Sequence, residues 1–238
     1  LAQRVLSDRL QSPLDLWVSP AQSAFLRGRS IADNVLLTQG LMEYLADARA
    51  PGVMLVLDIK QAYDRVDRQW LGACARRMGL PAGCLRWLEL FTANTRSRVM
   101  LNGHVSPDFA VLNGLPQGGP LAPLLWVLQL QPFTAALERA QTSGHLRSPL
   151  LPSGQQAPVV SHHADDTKLY LRDLATDGAA ALACVAEFTQ ASGAVMHPDK
   201  NTGVCMGSHA PVHGVCPVTR AVFGQPAAPP VVSLGVPC

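Results

Sequence analysis

Apolar residues along the chain recur with two different spacings, which together predict an α+β protein. Between Ser30 and Ala48 they recur at helical spacing, and Ser30 with Asp33 forms a capping pair, so a surface helix is predicted. The continuous apolar run Val53–Ile59 is short enough to predict a buried strand instead. Asp58 stands near the far end of that strand.

Two helices and a β-hairpin are predicted after this strand. The helices lie on either side of the breaker Gly79-Leu80-Pro81, one over Tyr63–Met78 and one ending near Ala93. The hairpin covers residues 98–112, because Asn102-Gly103 supplies the positive φ angles that a tight turn requires.

A glycine-rich loop and a second hairpin follow. The loop Gly114–Pro120 opens a long helix to about Ala140, with the proline placed in its first turn. The segment Val159–Leu171 is apolar at both ends and carries Asp165-Asp166 in its middle. This pattern predicts a hairpin with the two acids at its tip.

A last helix over about Asp177–Ala191 ends at Ser192-Gly193, and short strands are predicted around Lys200 and Val231–Val236. Strands and helices therefore alternate along the chain. The order indicates an antiparallel sheet backed by helices.

Composition narrows the class of protein only slightly. The chain has 238 residues, 48% of them hydrophobic, and a formal charge of +2 from 19 basic and 17 acidic residues. So small a net charge does not indicate a nucleic-acid-binding protein, and any such binding must come from local sites. The 6 cysteines form no CxxC pair, and neither a signal peptide nor a membrane-spanning apolar run is present, so an intracellular, soluble protein is expected.

Three carboxylates are the strongest candidates for chemistry. If the predicted strands are neighbours, Asp58, Asp165 and Asp166 meet at one edge of the sheet. Phosphoryl transfer uses two divalent cations about 4 Å apart, and hard cations prefer carboxylate oxygens. Alone, an aspartate at a strand end is usually solvated, and a pair of aspartates in a turn often serves only the turn.

Five segments, in this order, resemble the reverse transcriptase domain of non-LTR (LINE-like) retrotransposons. They are QSAFLRGRSIADN (Gln22–Asn34), LDIKQAYDRV (Leu57–Val66), LNGLPQGGPLAPLLW (Leu112–Trp126), HADD (His163–Asp166) and the pair Ser192-Gly193 followed by HPDK (His197–Lys200). The likeness covers most of the chain. It implies a polymerase palm, a ferredoxin-like antiparallel sheet backed by helices.

The resemblance also implies roles for individual residues. Asp58, Asp165 and Asp166 would be catalytic and, with the Ile59 carbonyl, would hold two Mg²⁺ or Mn²⁺ ions. A second set would bind the nucleotide: Tyr63, Gln117, Gly118 and Lys200.

Within the second set, Tyr63 would lie under the incoming sugar and exclude a 2′-hydroxyl, although a core aromatic at a helix start is the alternative. Gln117 and Gly118 would lie against nucleotide and template, where a glycine lets the backbone approach a base pair closely. Lys200 would face the triphosphate and protonate the leaving pyrophosphate.

The chain departs from the family pattern at two histidines and at its ends. His163 replaces an aromatic residue near the primer end, His162 beside it has no assigned role, and His197 replaces an asparagine. The resemblance implies partial fingers over 1–50 and a palm over 51–208. A Pro/Gly-rich tail over 209–238 carries a faint match to the primer-grip hairpin. The family's thumb and endonuclease are missing, so the domain is expected to be truncated at both ends, with those parts supplied by other polypeptides.

The resemblance therefore implies an RNA-directed DNA polymerase that joins a dNTP to a primer 3′-hydroxyl on an RNA template, without a membrane. It would act at nuclear DNA, although no basic cluster marks a nuclear address. The alternative is a catalytically inactive retrotransposon-derived fragment with at most weak nucleic-acid binding, favoured by the truncation, His163, His197 and the near-neutral charge. A nucleotide cyclase is a third interpretation, and the Gln117 loop argues against it.

One further pattern has metal-ligand residue types. Cys205, His209, His213 and Cys216 have the composition of a Cys₂His₂ zinc site. Because Pro211 and nearby glycines break the segment, an ordinary connecting loop is favoured.

Overall fold

The computed structural model describes residues 1–197, 199–209, 232–233 and 236–237. The helices of these residues are α1 (Ala2–Trp17), α2 (Ile31–Asp47), α3 (Arg68–Arg77), α4 (Ala82–Thr92), α5 (Ala122–Thr142) and α6 (Leu174–Ser192). The longer strands are β1 (Pro51–Leu57), β6 (Val160–His163), β7 (Asp166–Leu171) and β8 (Thr202–Gly207). Two-residue strands complete the set: β2 (Arg96–Ser97), β3 (Met100–Leu101), β4 (His104–Val105), β5 (Phe109–Ala110), β9 (Val232–Ser233) and β10 (Val236–Pro237).

The four longer strands form one antiparallel sheet in the order β6-β7-β1-β8. Strand β1 thus lies between β7 and β8. Together with the helices that separate the strands, this is the split βαβ arrangement of a ferredoxin-like sheet. The predicted α+β fold, with an antiparallel sheet backed by helices, is confirmed.

Strand β1 explains why the sheet forms the middle layer of the molecule. Successive side chains of a strand point to opposite faces. Val53 and Leu55 join the large core beneath helices α3, α5 and α6. Met54 joins a second core cluster with Leu45 of α2 and Tyr170 of β7. An apolar run without alternation therefore fits a strand that is covered on both faces.

Helix α5 is the central helix of the large core. Its buried side chains include Trp126, Leu128 and Phe133, so it is apolar on nearly every side, as expected of an internal helix. The predicted start of this helix, with Pro120 in its first turn, lies slightly too early in the sequence. Helix α5 begins at Ala122, and Pro123 rather than Pro120 occupies its first turn.

The helix predicted over Tyr63–Met78 is wrong in its first part. Helix α3 begins at Arg68, where the Asp67 side chain caps it by accepting a hydrogen bond from the Trp70 N–H at 2.8 Å. Residues 60–65 form turns instead, with Gln61 at φ 51°. The helix to about Ala93 is confirmed as α4.

The predicted turn of the first hairpin is confirmed, but its strands pair at other positions than predicted. Asn102 and Gly103 take φ 49° and 79° and connect β3 to β4. The sequence predicts that residues 98–101 and 109–112 are the two strands of this hairpin. Instead β2 pairs with β5, which sets Arg96 opposite Ala110.

Other predicted elements are confirmed with small shifts. The Ser30–Asp33 capping box is present at α2. The hairpin β6–β7 carries the two acids at its tip, and α6 ends at Gly193 in the left-handed conformation. Strands β9 and β10 pair near the expected last strands, while Val231 lies outside the described residues.

Helix α1 was not predicted. It packs on the core through Leu6, Leu10 and Leu14, which recur every fourth residue on one face. None of the helices in the described ranges is long and apolar enough to cross a membrane.

Candidate active site

Asp58 and Asp166 come together through the register of the sheet. Strands β1 and β7 are antiparallel, with Leu57 opposite Thr167. Asp58 follows Leu57 just beyond the end of β1, and Asp166 precedes Thr167 at the start of β7, so continuing the register sets the two across from each other. The structure thus brings together carboxylates far apart in the chain.

The turn between β6 and β7 carries Asp165. His163 pairs with Asp166 at the base of this turn, and Ala164 and Asp165 form the tip. Ala164 has φ 58°, in the left-handed region that residues with a β-carbon rarely adopt. All of the predicted acids therefore lie at one edge of the sheet.

The acids influence one another electrostatically. Burial raises the pKa of Asp166 above its ordinary value, and the charges of Asp165 and Asp58 raise it further. His163 and Lys168 act in the opposite direction. A carboxyl pKa raised by other carboxylates marks a place where a cation would relieve repulsion.

The donor set suits a hard cation, although its geometry is not that of an assembled site. Across the described residues, no group of three or more His, Cys, Asp or Glu side chains is positioned to hold a metal ion. Asp58 faces Lys200 instead, with 3.5 Å between Oδ2 and Nζ. Carboxylate oxygens are nevertheless the ligands that Mg²⁺ prefers.

Tyr63 packs on the core and lies near the acids. Its ring packs against that of the buried Trp126, with centroids 5.4 Å apart, so it is partly a core aromatic. It also lies close enough to the acids for Asp165 to affect it. Burial and, to a smaller extent, Asp165 raise the pKa of Tyr63 to about 12, so its hydroxyl stays protonated at neutral pH.

The glycine-rich loop is fixed to the turns that follow β1. The N–H groups of Gly114 and Leu115 donate to the carbonyls of Val66 and Tyr63, both at 2.9 Å. Gly114 has φ 88°, and a β-carbon there would lie 2.7 Å from the Asp64 carbonyl oxygen. A glycine is therefore required at this close approach.

Gln117 and Gly118 lie on the exposed side of the same loop. Gln117 Nε2 donates to Asp64 Oδ1 at 2.8 Å. Gly118 has φ 79°, and a β-carbon there would meet no protein atom within 4 Å. Its backbone angle rather than protein packing therefore calls for glycine.

The segment before Lys200 extends the sheet beside Asp58. Ile59, itself buried, forms a bridge to Met196, and the His197 N–H donates to the Asp58 carbonyl at 2.8 Å. Asn201 Oδ1 accepts a hydrogen bond from the Asp58 N–H, also at 2.8 Å. The backbone of Asp58 is thus held on both sides.

The two histidines before the acids have separate environments. His162 is fully buried, with one ring nitrogen bonded to Thr134 Oγ1 at 3.0 Å and the other to Thr167 Oγ1 at 2.9 Å. Burial lowers the pKa of His162 to about 3, so the ring is neutral. His163 Nδ1 lies 3.0 Å from Ser23 Oγ.

Residues 22–34 supply contacts that the sequence analysis did not assign. The Ser23 N–H and Asn34 Nδ2 both donate to the His162 carbonyl, at 2.9 and 2.7 Å. Gln22 forms a parallel bridge with His162 and contacts Ala164 through its side chain. In the sequence, the only sign of this role was that Gln22, Ser23 and Asn34 are polar, which is a weak signal because their burial could not be foreseen.

The suggested zinc pattern is only partly within the described residues. Cys205 lies in β8, and His209 Nε2 lies 3.4 Å from Asp173 Oδ2. His213 and Cys216 lie outside the described residues, as do Leu234 and Gly235 of the primer-grip match.

The family of the chain follows from its likeness to known proteins. A family model described as reverse transcriptase (RNA-dependent DNA polymerase) matches residues 1–238. The chain is 30% identical over 208 residues to the transposon TX1 uncharacterized 149 kDa protein of Xenopus laevis, covering 87% of this chain and 15% of that protein. It is 24% identical over 217 residues to a retrovirus-related Pol polyprotein from the type-1 retrotransposable element R2 of Popillia japonica, covering 91% of this chain and 29% of that protein.

The fold is similar to that of telomerases. The apo telomerase of Candida tropicalis, truncated from its C-terminal domain, matches with a TM-score of 0.62 at 12% identity, covering 89% of this chain and 42% of that one. Telomerase of Candida albicans, in complex with a fragment of telomeric RNA, matches with a TM-score of 0.60 at 12% identity, covering 85% and 34%. The sheet is therefore a polymerase palm. By the family match over its whole length, the chain belongs to the reverse transcriptase (RNA-dependent DNA polymerase) family, as a domain of the non-LTR retrotransposon type.

Proposed function

We propose that this domain is an RNA-directed DNA polymerase that transfers a nucleotide from a dNTP to the 3′-hydroxyl of a primer. The observation that carries the proposal is the register that sets Asp58 across from Asp166, one residue from Asp165 at the hairpin tip. A palm sheet with three acids at one edge suits metal-dependent nucleotidyl transfer.

Asp58, Asp165 and Asp166, together with the Ile59 carbonyl, are the residues that would hold two Mg²⁺ or Mn²⁺ ions. When bound, such ions stabilise the attacking and leaving oxygens of an in-line displacement. The raised pKa of Asp166 agrees with the assignment: burial is its largest cause, and the charges of Asp165 and Asp58 add to it. Asp58 would then exchange its present contact with Lys200 for a cation.

The nucleotide would lie between the acids, Tyr63 and the glycine-rich loop. Tyr63 is braced by Trp126 and would present its ring to the sugar. Gln117 and Gly118 face outward, where a base or template strand would approach. The exposed ammonium of Lys200 would face the triphosphate and donate a proton to the leaving pyrophosphate.

The proposed partners are an RNA template and a DNA primer. The chain spans less than a third of the length of the two relatives described above, so further domains of a whole protein are also proposals. The assignment of 1–50 to partial fingers, 51–208 to the palm and 209–238 to a tail stays a prediction.

A catalytically inactive domain is the alternative. The ion pair between Asp58 and Lys200, and the lack of an assembled ligand group in the described part of the chain, favour it. It predicts a folded protein that binds nucleic acid weakly at most and extends no primer.

Primer extension by the purified chain on an RNA template, with Mg²⁺ or Mn²⁺, separates these functions. The proposal predicts extension by the wild type and none by the Asp165→Asn, Asp166→Asn double variant. Asp47→Asn, which changes an exposed acid at the end of α2, is the matched control and should extend normally. No extension by a folded wild type would support the inactive alternative, and nucleotide turnover without primer and template would indicate a cyclase.

A further inference from the structure

The residue that joins the two histidines to the acids is held in an unfavourable backbone conformation. Ala164 has φ 58°, and its chain neighbours are His163 and Asp165. For a residue with a β-carbon this region is disfavoured by roughly a factor of ten. Strain of this kind persists only where the surrounding structure offsets it.

The side chain of Gln22 contacts both sides of Ala164. Gln22 Oε1 accepts a hydrogen bond from the Ala164 N–H at 3.1 Å, and Gln22 Nε2 donates to the Ala164 carbonyl at 3.3 Å. One primary amide therefore satisfies the donor and the acceptor of the strained residue. Only a side chain with both an acceptor and a donor can do this.

Gln22 is itself held rigidly. Its side chain is buried, and its Oε1 also accepts from the Ala24 N–H at 2.9 Å. The Gln22 carbonyl accepts from Arg29 Nη1 at 2.8 Å, and the same nitrogen donates to the Ser19 carbonyl at 2.6 Å. The segment around Gln22 is thus held by its own hydrogen bonds where it contacts the hairpin.

We infer that Gln22 is a positioning residue, which holds Ala164 in its left-handed conformation and so fixes Asp165 beside Asp58 and Asp166. The consequence for catalysis rests on the proposed function, whereas the consequence for the turn does not. The side-chain hydrogen bonds of Gln22 go to Ala24 and Ala164 and to none of the proposed metal ligands, so it acts through Ala164.

A double-mutant cycle tests this inference. Gln22→Met keeps the length of the side chain and removes both hydrogen bonds to Ala164, together with the one from the Ala24 N–H. Ala164→Gly removes the cost of the left-handed conformation, so the turn no longer depends on support. Gln141→Met is the matched control, because the Gln141 amide also makes hydrogen bonds, donating to Ser148 Oγ and the Ala157 carbonyl, away from the acids.

Two readouts are measured besides primer extension. Amide hydrogen exchange of the hairpin tip reports on the turn directly, since the Ala164 N–H is a donor to Gln22. Mn²⁺ affinity, measured by electron paramagnetic resonance, reports on the carboxylates.

Gln22→Met should speed exchange at Ala164 and weaken Mn²⁺ binding about ten-fold, the factor by which the left-handed conformation is disfavoured. The turnover rate should fall and the Michaelis constant for dNTP should change little. Adding Ala164→Gly should restore Mn²⁺ affinity to within about two-fold of the wild type. Gln141→Met should leave both readouts unchanged.

Unchanged exchange at Ala164 in the Gln22→Met variant would overturn the inference, as would a loss of Mn²⁺ affinity that Ala164→Gly does not reduce. A wild type that neither binds Mn²⁺ nor extends a primer would instead count against the proposed function. The exchange measurement would still decide whether Gln22 holds the turn.

Discussion

His162 Nδ1 lies 2.9 Å from Thr167 Oγ1, across the hairpin whose tip carries the acids. The other ring nitrogen is bonded to Thr134 Oγ1 of helix α5. A neutral imidazole has one donor and one acceptor, so a threonine hydroxyl can satisfy each nitrogen without a charge. The ring ties the hairpin to the core, and the backbone of His162 ties it to Ala21 and Ser23 through hydrogen bonds of 2.7 and 2.9 Å.

This arrangement makes the stability of the protein depend on pH. The folded-state pKa of His162 is lowered from 6.5 to about 3, so the unfolded chain binds the proton more readily. His162 therefore contributes stability above about pH 6.5, and that stability is lost as the pH falls toward 3. Between pH 7 and pH 5 the loss should be about 2 kcal/mol of the free energy of unfolding.

Urea unfolding at pH 7 and pH 5 measures this difference. The His162→Gln variant provides the comparison: it should be less stable at pH 7 and should lose about 2 kcal/mol less over the same interval. An equal pH dependence in the two proteins would show that His162 does not titrate as described.

Gly114 and Gly118 offer a matched test of the glycine-rich loop. Both have positive φ angles, but only at Gly114 would a β-carbon clash with backbone, 2.7 Å from the Asp64 carbonyl oxygen. We expect Gly118→Ala to cost about 1 kcal/mol of stability and Gly114→Ala roughly 3 kcal/mol. Denaturant unfolding of both variants gives the comparison, and equal costs would contradict the close packing of the loop.

The ring of Tyr63 is predicted to select the sugar. Tyr63→Val removes the ring braced by Trp126, and incorporation of ribonucleotides relative to deoxyribonucleotides should rise at least about ten-fold. Tyr63→Phe keeps the ring and should retain the wild-type preference. Single-nucleotide incorporation with both substrates measures the ratio, and the same ratio in the valine variant would leave Tyr63 as a core aromatic only.

Lys200 gives opposite predictions for metal binding and for turnover. Its ammonium lies 3.5 Å from Asp58 Oδ2 and competes there with a cation. Lys200→Met should therefore bind Mn²⁺ at least as tightly as the wild type. Primer extension should slow by about 100-fold, because the variant lacks the ammonium that would donate a proton to the pyrophosphate. Weaker Mn²⁺ binding in this variant would mean that Lys200 positions Asp58 instead.

The sequence predicted those features that depend on local patterns. The apolar run of β1, the Ser30–Asp33 capping box and the paired acids were each readable within a few residues, and the structure contains them. Their meeting point depends on the antiparallel order of the sheet, which the sequence suggested only through the alternation of elements.

The errors have tertiary causes. Tyr63 and Val66 fit helical spacing, yet their carbonyls accept hydrogen bonds from Leu115 and Gly114, so the helix starts only at Arg68. The support of Ala164 by Gln22 joins residues far apart in the chain, and no local pattern marks it.

The proposal that Asp58, Asp165 and Asp166 bring cations to the α-phosphate is tested most directly by sulfur substitution. RNA-templated primer extension is measured with a dNTP and with its α-thio analogue, in Mg²⁺ and in Mn²⁺. The α-phosphorus of the analogue is a stereocentre, so its two diastereomers are measured separately. Because Mg²⁺ prefers oxygen ligands and sulfur is a soft ligand, the diastereomer whose sulfur faces the ions should be slow in Mg²⁺ and recover in Mn²⁺. The same small thio effect with both ions for both diastereomers, or no extension by the folded wild type with either nucleotide, would contradict a metal site at these carboxylates.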